Sequence, residues 1–326
     1  MLFGAFVPQG WRMDLAGIPA ERQWDTIRGV ARSAEDLGYT GLWVYDHFHT
    51  TPLPTQEATH EAWALMAALA AATSRIRLGQ MCTCVAYRPP AYLAKVAATI
   101  DVISGGRLDL GIGAGWYEHE YAGYGYEFLP PASRVGQLRE AVEIMKRLWT
   151  EDDVHFEGRH YRLNGAICRP RPLQSPHIPI WVAGGGEQLT LRVAARHASC
   201  TNFGGPPEEF ARRSRVLAGH CREAGTDYDA IVRSTNLFVV CRQTEDDVAA
   251  ALAVIKQRYL QAVPEEQAER ATAMYRGMAG TPEQLIARLR PWAEAGLAYA
   301  IVYFPQAAYE TDDLQLFAHE VAPAFA

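Results

Sequence analysis

The sequence predicts a TIM-like (β/α)8 barrel with insertion segments. Short apolar runs alternate with segments of helical period, the pattern of parallel strands joined by crossover helices. Eight such runs can be placed, the number that closes a barrel. At one of them, Gly41 to His49, an apolar strand runs straight into Asp46, His47 and His49, and barrels of this class carry their chemistry at the C-terminal strand ends. An open doubly wound sheet is the alternative architecture.

The strands are expected at 2–7, 41–45, 76–82, 107–112, 180–183, 200–203, 232–240 and 299–304. Each is a short run rich in β-branched, aromatic or leucine residues. Helical period predicts helices over 23–37, stopped by Gly38, and over the Ala-rich 57–73. A helix from Pro90 to Ile103 starts with proline, as a first helical position favours. A long helix over 133–149 is expected to hold Arg134 to Lys146 on its polar face. Residues 155–163 alternate and read as a small hairpin, followed by a Pro-rich loop from Pro170 to Pro179. Further helices are expected at 188–196, 207–224, 245–260, 282–295 and 312–322, with 270–279 a weaker candidate. No linker splits the chain, so 1–326 reads as one domain with insertions near 116–180 and 261–281.

The chain has 326 residues, 49% hydrophobic and 21% charged, enough for a large core. A net charge of −6 without a basic cluster in sequence speaks against nucleic acid. No apolar run approaches membrane-spanning length, and Met1 to Val7 reads as a first core strand rather than a signal peptide. The six cysteines are scattered, which fits buried thiols in a reducing, cytoplasmic setting.

Gly111, Gly113 and Gly115 follow a strand in a G-x-G-x-G pattern. A dinucleotide fingerprint needs G-x-G-x-x-G, so close approach of backbone to a flat ligand is the better reading, against a tight turn with no ligand. Gly184, Gly185, Gly186, Glu187 and Gln188 sit between a strand and a helix start, where free N–H groups attract phosphate. Asp46 beside His47 fits proton transfer near neutral pH. His47 and His49 also open the possibility of a metal site, but the later strand ends supply no obvious further ligand, and no metal is expected. Trp116, Tyr117, Tyr121, Tyr124 and Tyr126 surround His119 and Glu120, aromatics suited to stacking on a planar molecule or to packing the insertion.

Taken in order, these segments resemble the luciferase-like monooxygenase superfamily, deazaflavin branch. Trp43 to Phe48 matches its second-strand motif, and Tyr92 to Trp116 its most recognisable block. Phe156 to Tyr161, Pro170 to Gln174 and Pro179 to Gly185 continue the match, which weakens after 240. The resemblance implies coenzyme F420, with FMN the alternative. It implies a hydride transferred between the deazaflavin and a small organic substrate, with His47 handling the proton. It places Asp46, Met81, Cys82, Thr83, Cys84, Gly115, His119 and Gly184 through Gln188 against the cofactor, with a non-proline cis peptide at Met81–Cys82. Trp11, His49, Trp116, Tyr117 and Asn202 would line the substrate pocket. Trp116 replaces a catalytic glutamate of the sugar-phosphate dehydrogenase subgroup, and Asn202 to Pro207 replaces its phosphate-binding lysine segment, so glucose 6-phosphate is not expected as substrate. A homodimer is a possible assembly. The rival functions are a two-component FMN monooxygenase, a non-catalytic flavin-binding protein and a metal hydrolase.

Overall fold

The computed structural model describes residues 1–326. In chain order it begins β1 (Leu2–Phe6), α1 (Ala20–Asp36), β2 (Gly41–Val44), α2 (Ala62–Ala72), β3 (Arg77–Gln80), β4 (Thr83–Cys84), α3 (Pro90–Ser104) and β5 (Leu108–Gly113). An excursion follows: α4 (Glu118–Gly123), α5 (Pro131–Thr150) and the hairpin β6 (Val154–Glu157) and β7 (Arg162–Ala166). The alternation resumes with β8 (Ile180–Ala183), α6 (Thr190–His197), β9 (Cys200–Asn202), α7 (Pro207–Ala224) and β10 (Val232–Phe238). The chain closes with β11 (Val240–Cys241), α8 (Glu245–Leu260), α9 (Glu265–Arg276), β12 (Ala279–Gly280), α10 (Pro282–Glu294), β13 (Tyr299–Tyr303) and α11 (Asp312–Leu316).

The fold is a TIM-like barrel. Its strands hydrogen-bond in the order β3-β2-β1-β13-β10-β9-β8-β5, with β3 also paired to β5 and β4 added beside β5. β1, β2, β5 and β13 are buried along all or nearly all their length, as expected of parallel strands covered on both faces.

The backbone divides into two compact units, residues 1–65 with 235–326, and residues 66–234. In the first, β1 runs parallel to β2 and β13. α1 buries Gln23, Ile27, Val30, Ala31 and Ala34, one stripe at helical spacing. α10 opens with a capping box between Thr281 and Gln284. In the second unit, β5 pairs in parallel with β3, β4 and β8, and β9 with β8 and β10.

The second unit is tied by a polar latch beneath the strands. Asp101 of α3 accepts the Leu173 N–H at 2.7 Å and the Gln174 amide at 2.7 Å, and Gln174 also donates to the Leu108 carbonyl at 2.6 Å. Arg77 forks onto Asp109 with two bonds of 2.7 Å. Arg107 donates to the carbonyls of Ala70, Thr73, Ile76 and Ser104, closing the C-terminal end of α2. Charged donors on backbone carbonyls are among the stronger hydrogen bonds, worth about 1.5–3 kcal/mol each. Much of the block that carries the family resemblance is therefore scaffold.

Several elements differ from the sequence expectation. α2 starts at Ala62 rather than near 57, because the His60 backbone is hydrogen-bonded through both its N–H and carbonyl to Gln9. Arg134 is not on the polar face of α5. It is buried, donating to the Leu129 carbonyl with its guanidinium 4.1 Å above the Phe128 ring. The glycine loop after β8 leads into a turn, and α6 starts only at Thr190. The last helix changes to a π-helical turn at Phe317–Val321. α9 starts at Glu265, ahead of the expected 270.

Candidate active site

In the first unit the site begins where β1 ends. Gln9 is 1% exposed, and its side chain reaches the last residue before Asp46. Its Oε1 accepts the Tyr45 N–H at 2.7 Å, and its Nε2 donates to the Tyr45 carbonyl at 2.7 Å and the His60 carbonyl at 2.6 Å. This clamp fixes the backbone just after β2, where the ladder of the sheet ends. Gly10, at φ +98°, lets the chain turn against the Ala58 carbonyl, which any Cβ would strike. The turn brings Trp11 face to face with His47, centroids 4.1 Å apart and planes within 5°. The guanidinium of Arg12 lies 4.5 Å from the Trp11 ring and 4.3 Å from Phe238. Asp46 is buried, while His47 and His49 are half-buried. Burial pushes the Tyr45 hydroxyl above its usual range.

In the second unit the peptide Met81–Cys82 is cis and non-proline, at the position the resemblance implies. Beyond it Thr83 pairs with Ile112 and Cys84 with Gly113. The glycines that follow β5's start admit protein neighbours. A Cβ on Gly111 would strike the Gln80 carbonyl, and one on Gly113 would lie 2.7 Å from the Cys82 thiol. Gly115, at φ +77°, faces the Tyr121 hydroxyl and the Cys84 thiol. Tyr121 Oη and Cys84 Sγ are 3.0 Å apart, and burial raises the Tyr121 pKa. Tyr87 donates to Glu120 at 2.8 Å, and Glu120 is fully buried. Trp116 stacks on Tyr117 at 5.1 Å, with Tyr117 6.0 Å from His119, in a run where Trp116 and His119 are exposed.

The amide of Gln80 and the hydroxyl of Thr83 are buried with no hydrogen-bond partner. Buried polar atoms of this kind normally have one. Both flank the cis peptide, and their donor and acceptor capacity fits a heteroaromatic ring edge. Gly184 donates its N–H to the Asn202 carbonyl at 2.8 Å, and the Asn202 side chain donates to Ser234 at 3.0 Å. Glu187 is ion-paired to Arg212, and a Cβ on Gly186 would meet Thr190 Oγ1 at 2.8 Å. Gln188 is exposed. No group of three or more His, Cys, Asp or Glu side chains has the geometry to hold a metal ion. No helix is long and apolar enough to cross a membrane.

Sequence reading missed Gln9, Gln80 and the depth of Glu120, and it named Tyr121 among the aromatics of the insertion without its thiol partner Cys84. Gln80 carried one usable signal, an amide at a strand end beside the expected cis bond. Gln9 carried none, and nothing along the chain ties Tyr121 to Cys84, because the partners lie 36 and 37 residues away.

A parallel barrel with a cis non-proline bulge after its third strand and a histidine after its second defines a recognisable class. The chain belongs to the luciferase-like monooxygenase family, whose model matches residues 1–299. It is 30% identical over 316 residues to an F420-dependent glucose-6-phosphate dehydrogenase of Nocardia farcinica, covering 90% of this chain and 92% of that protein. It is 30% identical over 244 residues to an FMNH(2)-dependent dimethylsulfone monooxygenase of Pseudomonas putida, covering 73% and 64%. Among solved structures, an F420-dependent secondary alcohol dehydrogenase with an F420-acetone adduct shares the fold at a TM-score of 0.79 and 21% identity, covering 100% and 99%.

Proposed function

We propose that the chain is a coenzyme F420-dependent oxidoreductase acting on a small organic substrate with an apolar or aromatic face. When bound, the deazaflavin supplies a carbon that gives or takes the hydride. The observation that carries the reading is His47, stacked on Trp11 at 4.1 Å and following a strand end clamped by Gln9, in a chain whose near full-length relative is F420-dependent. His47 gives the substrate oxygen or nitrogen its proton in the reducing direction and takes it in the oxidising one. The Trp11 stack restricts the imidazole to one plane, so that the proton is delivered along one direction. Gln80 and Thr83 would hydrogen-bond the ring edge, Asp46, Cys82, Cys84 and His119 would contact the cofactor, and the loop 184–188 would hold its phosphate. Trp116 and Tyr117 would offer the substrate an apolar wall, with Trp11, His49 and Asn202 completing its pocket.

The test has two parts. Fluorescence titration should show coenzyme F420 binding more tightly than FMN, and FMN preference would reverse the cofactor reading. That reversal has its own support in the FMN-dependent relative. His47→Ala should lower turnover about 10²–10⁴-fold, the usual worth of a general acid–base group, while sparing cofactor affinity. Full turnover in the variant would remove His47 from the mechanism.

A further inference from the structure

A cavity lies within residues 66–234, on elements the proposed reaction does not use. It has a volume of about 500 Å³. α5, α6 and the hairpin turn bring Arg139, Arg159, His160, Arg192, Arg196 and His197 to its lining, and no aspartate or glutamate lines it. Arg139 lies 3.7 Å from Glu140, but that carboxylate is 4% exposed and accepts the N–H groups of Arg159, His160 and Tyr161. The guanidinium groups of Arg159, Arg192 and Arg196 have no ion-pair or hydrogen-bond partner. The chain as a whole carries −6. Four guanidiniums around one cavity, on an acidic protein, repel one another unless an anion enters. The local field is visible in His197, whose pKa is lowered to about 4 by burial and then by Lys146, Arg196 and Arg139.

We propose that this cavity is a binding site for a flexible small polyanion, a chain of two or more carboxylates or phosphates. Guanidinium forks match both groups with paired N–H bonds, and several forks in one concavity favour a ligand with several charges. The cavity's volume suits a small molecule rather than a nucleic acid duplex. The ligand has two sources. One is the acidic glutamyl tail of a bound deazaflavin: Leu189, which lines the cavity, follows the Gly184–Gly186 loop by three residues. The other is a free polyanion. The first source rests on the cofactor reading above; the second does not.

The probes are tripolyphosphate and tri-γ-glutamate, titrated calorimetrically into the full-length chain. Both should bind, more weakly as salt is raised, and Arg192→Glu/Arg196→Glu should weaken them about tenfold or more. Arg159→Glu is a second, single-site variant in case the first misfolds. No binding to the native chain, or equal binding to both variants, would overturn the proposal. Coenzyme F420 with long and with single-glutamate tails separates the sources. Affinity that grows with tail length in the native chain but not in the variant assigns the tail. Indifference to tail length, with the free probes still bound, assigns a free polyanion. Binding of the probes without any binding of deazaflavin would keep the cavity site and dismiss the cofactor reading.

Discussion

Replacing Gln9 by leucine probes whether the strand end before His47 is held in place by one side chain. The change is nearly isosteric and removes three hydrogen bonds, of 2.6–2.7 Å, at a residue 1% exposed. Each buried bond contributes about 1 kcal/mol net, and stranding its partner adds to that, so the loss should total about 3–5 kcal/mol. At about 2.1 cal/mol/K of unfolding entropy per residue, that lowers the melting temperature of this 326-residue chain by about 4–7 °C. The Tyr45 backbone, released from the clamp, no longer fixes Asp46 and His47. Turnover should therefore fall at temperatures where the variant is still folded, with cofactor affinity less affected. Gln9→Glu would set a carboxylate oxygen against the Tyr45 and His60 carbonyls at a buried position, so at neutral pH it should melt no higher than Gln9→Leu. Circular dichroism melts and steady-state assays in parallel provide both readouts. A Gln9→Leu chain that melts and turns over like the native protein would refute the clamp.

Gly115→Ala should destabilise by about 1–2 kcal/mol for its left-handed backbone and about 1–3 kcal/mol for crowding Tyr121 and Cys84. Tyr121→Phe in the same chain removes the crowded hydroxyl, and melts should show the pair costing less than the sum of the singles. Arg77→Met strands the Asp109 carboxylate, whose pKa burial already raises, and should cost about 3–5 kcal/mol at neutral pH. Adding Asp109→Asn should restore much of that loss in denaturant titrations. Asp313 is buried beside Arg242, and burial lifts its pKa from 3.8 to about 7. The folded state then holds a proton the unfolded chain has lost, so stability should fall as pH rises from about 4 to 7, by at most about 4 kcal/mol. Asp313→Asn should flatten that part of the pH profile, and an unchanged profile would assign it to other groups.

The barrel was legible because its signals are local. β8 and the spans of α7 and α8 coincide with expectation, since proline, glycine and apolar period mark their ends within the segment itself. The errors at α2 and Arg134 share a cause. A helix start depends on which backbone groups are already bonded, and His60 is bonded to Gln9, 51 residues earlier in sequence. An arginine on an exposed-looking face is drawn inward when an aromatic ring and a carbonyl receive it, as Phe128 and Leu129 do for Arg134.

The site divides in the same way. Asp46, His47 and the cis peptide at Met81–Cys82 stand out along the chain because strand ends and family motifs are linear features. Their surroundings are not linear. Gly113 and Gly115 read as room for a flat ligand, whereas folding places the Cys82 and Cys84 thiols and the Tyr121 hydroxyl against them. The arginines of the basic cavity are spread from 139 to 196, too far apart to register as a charge run. Packing of two helices and a hairpin turn gathers them, because the distance that governs Coulomb repulsion is measured through space and not along the backbone.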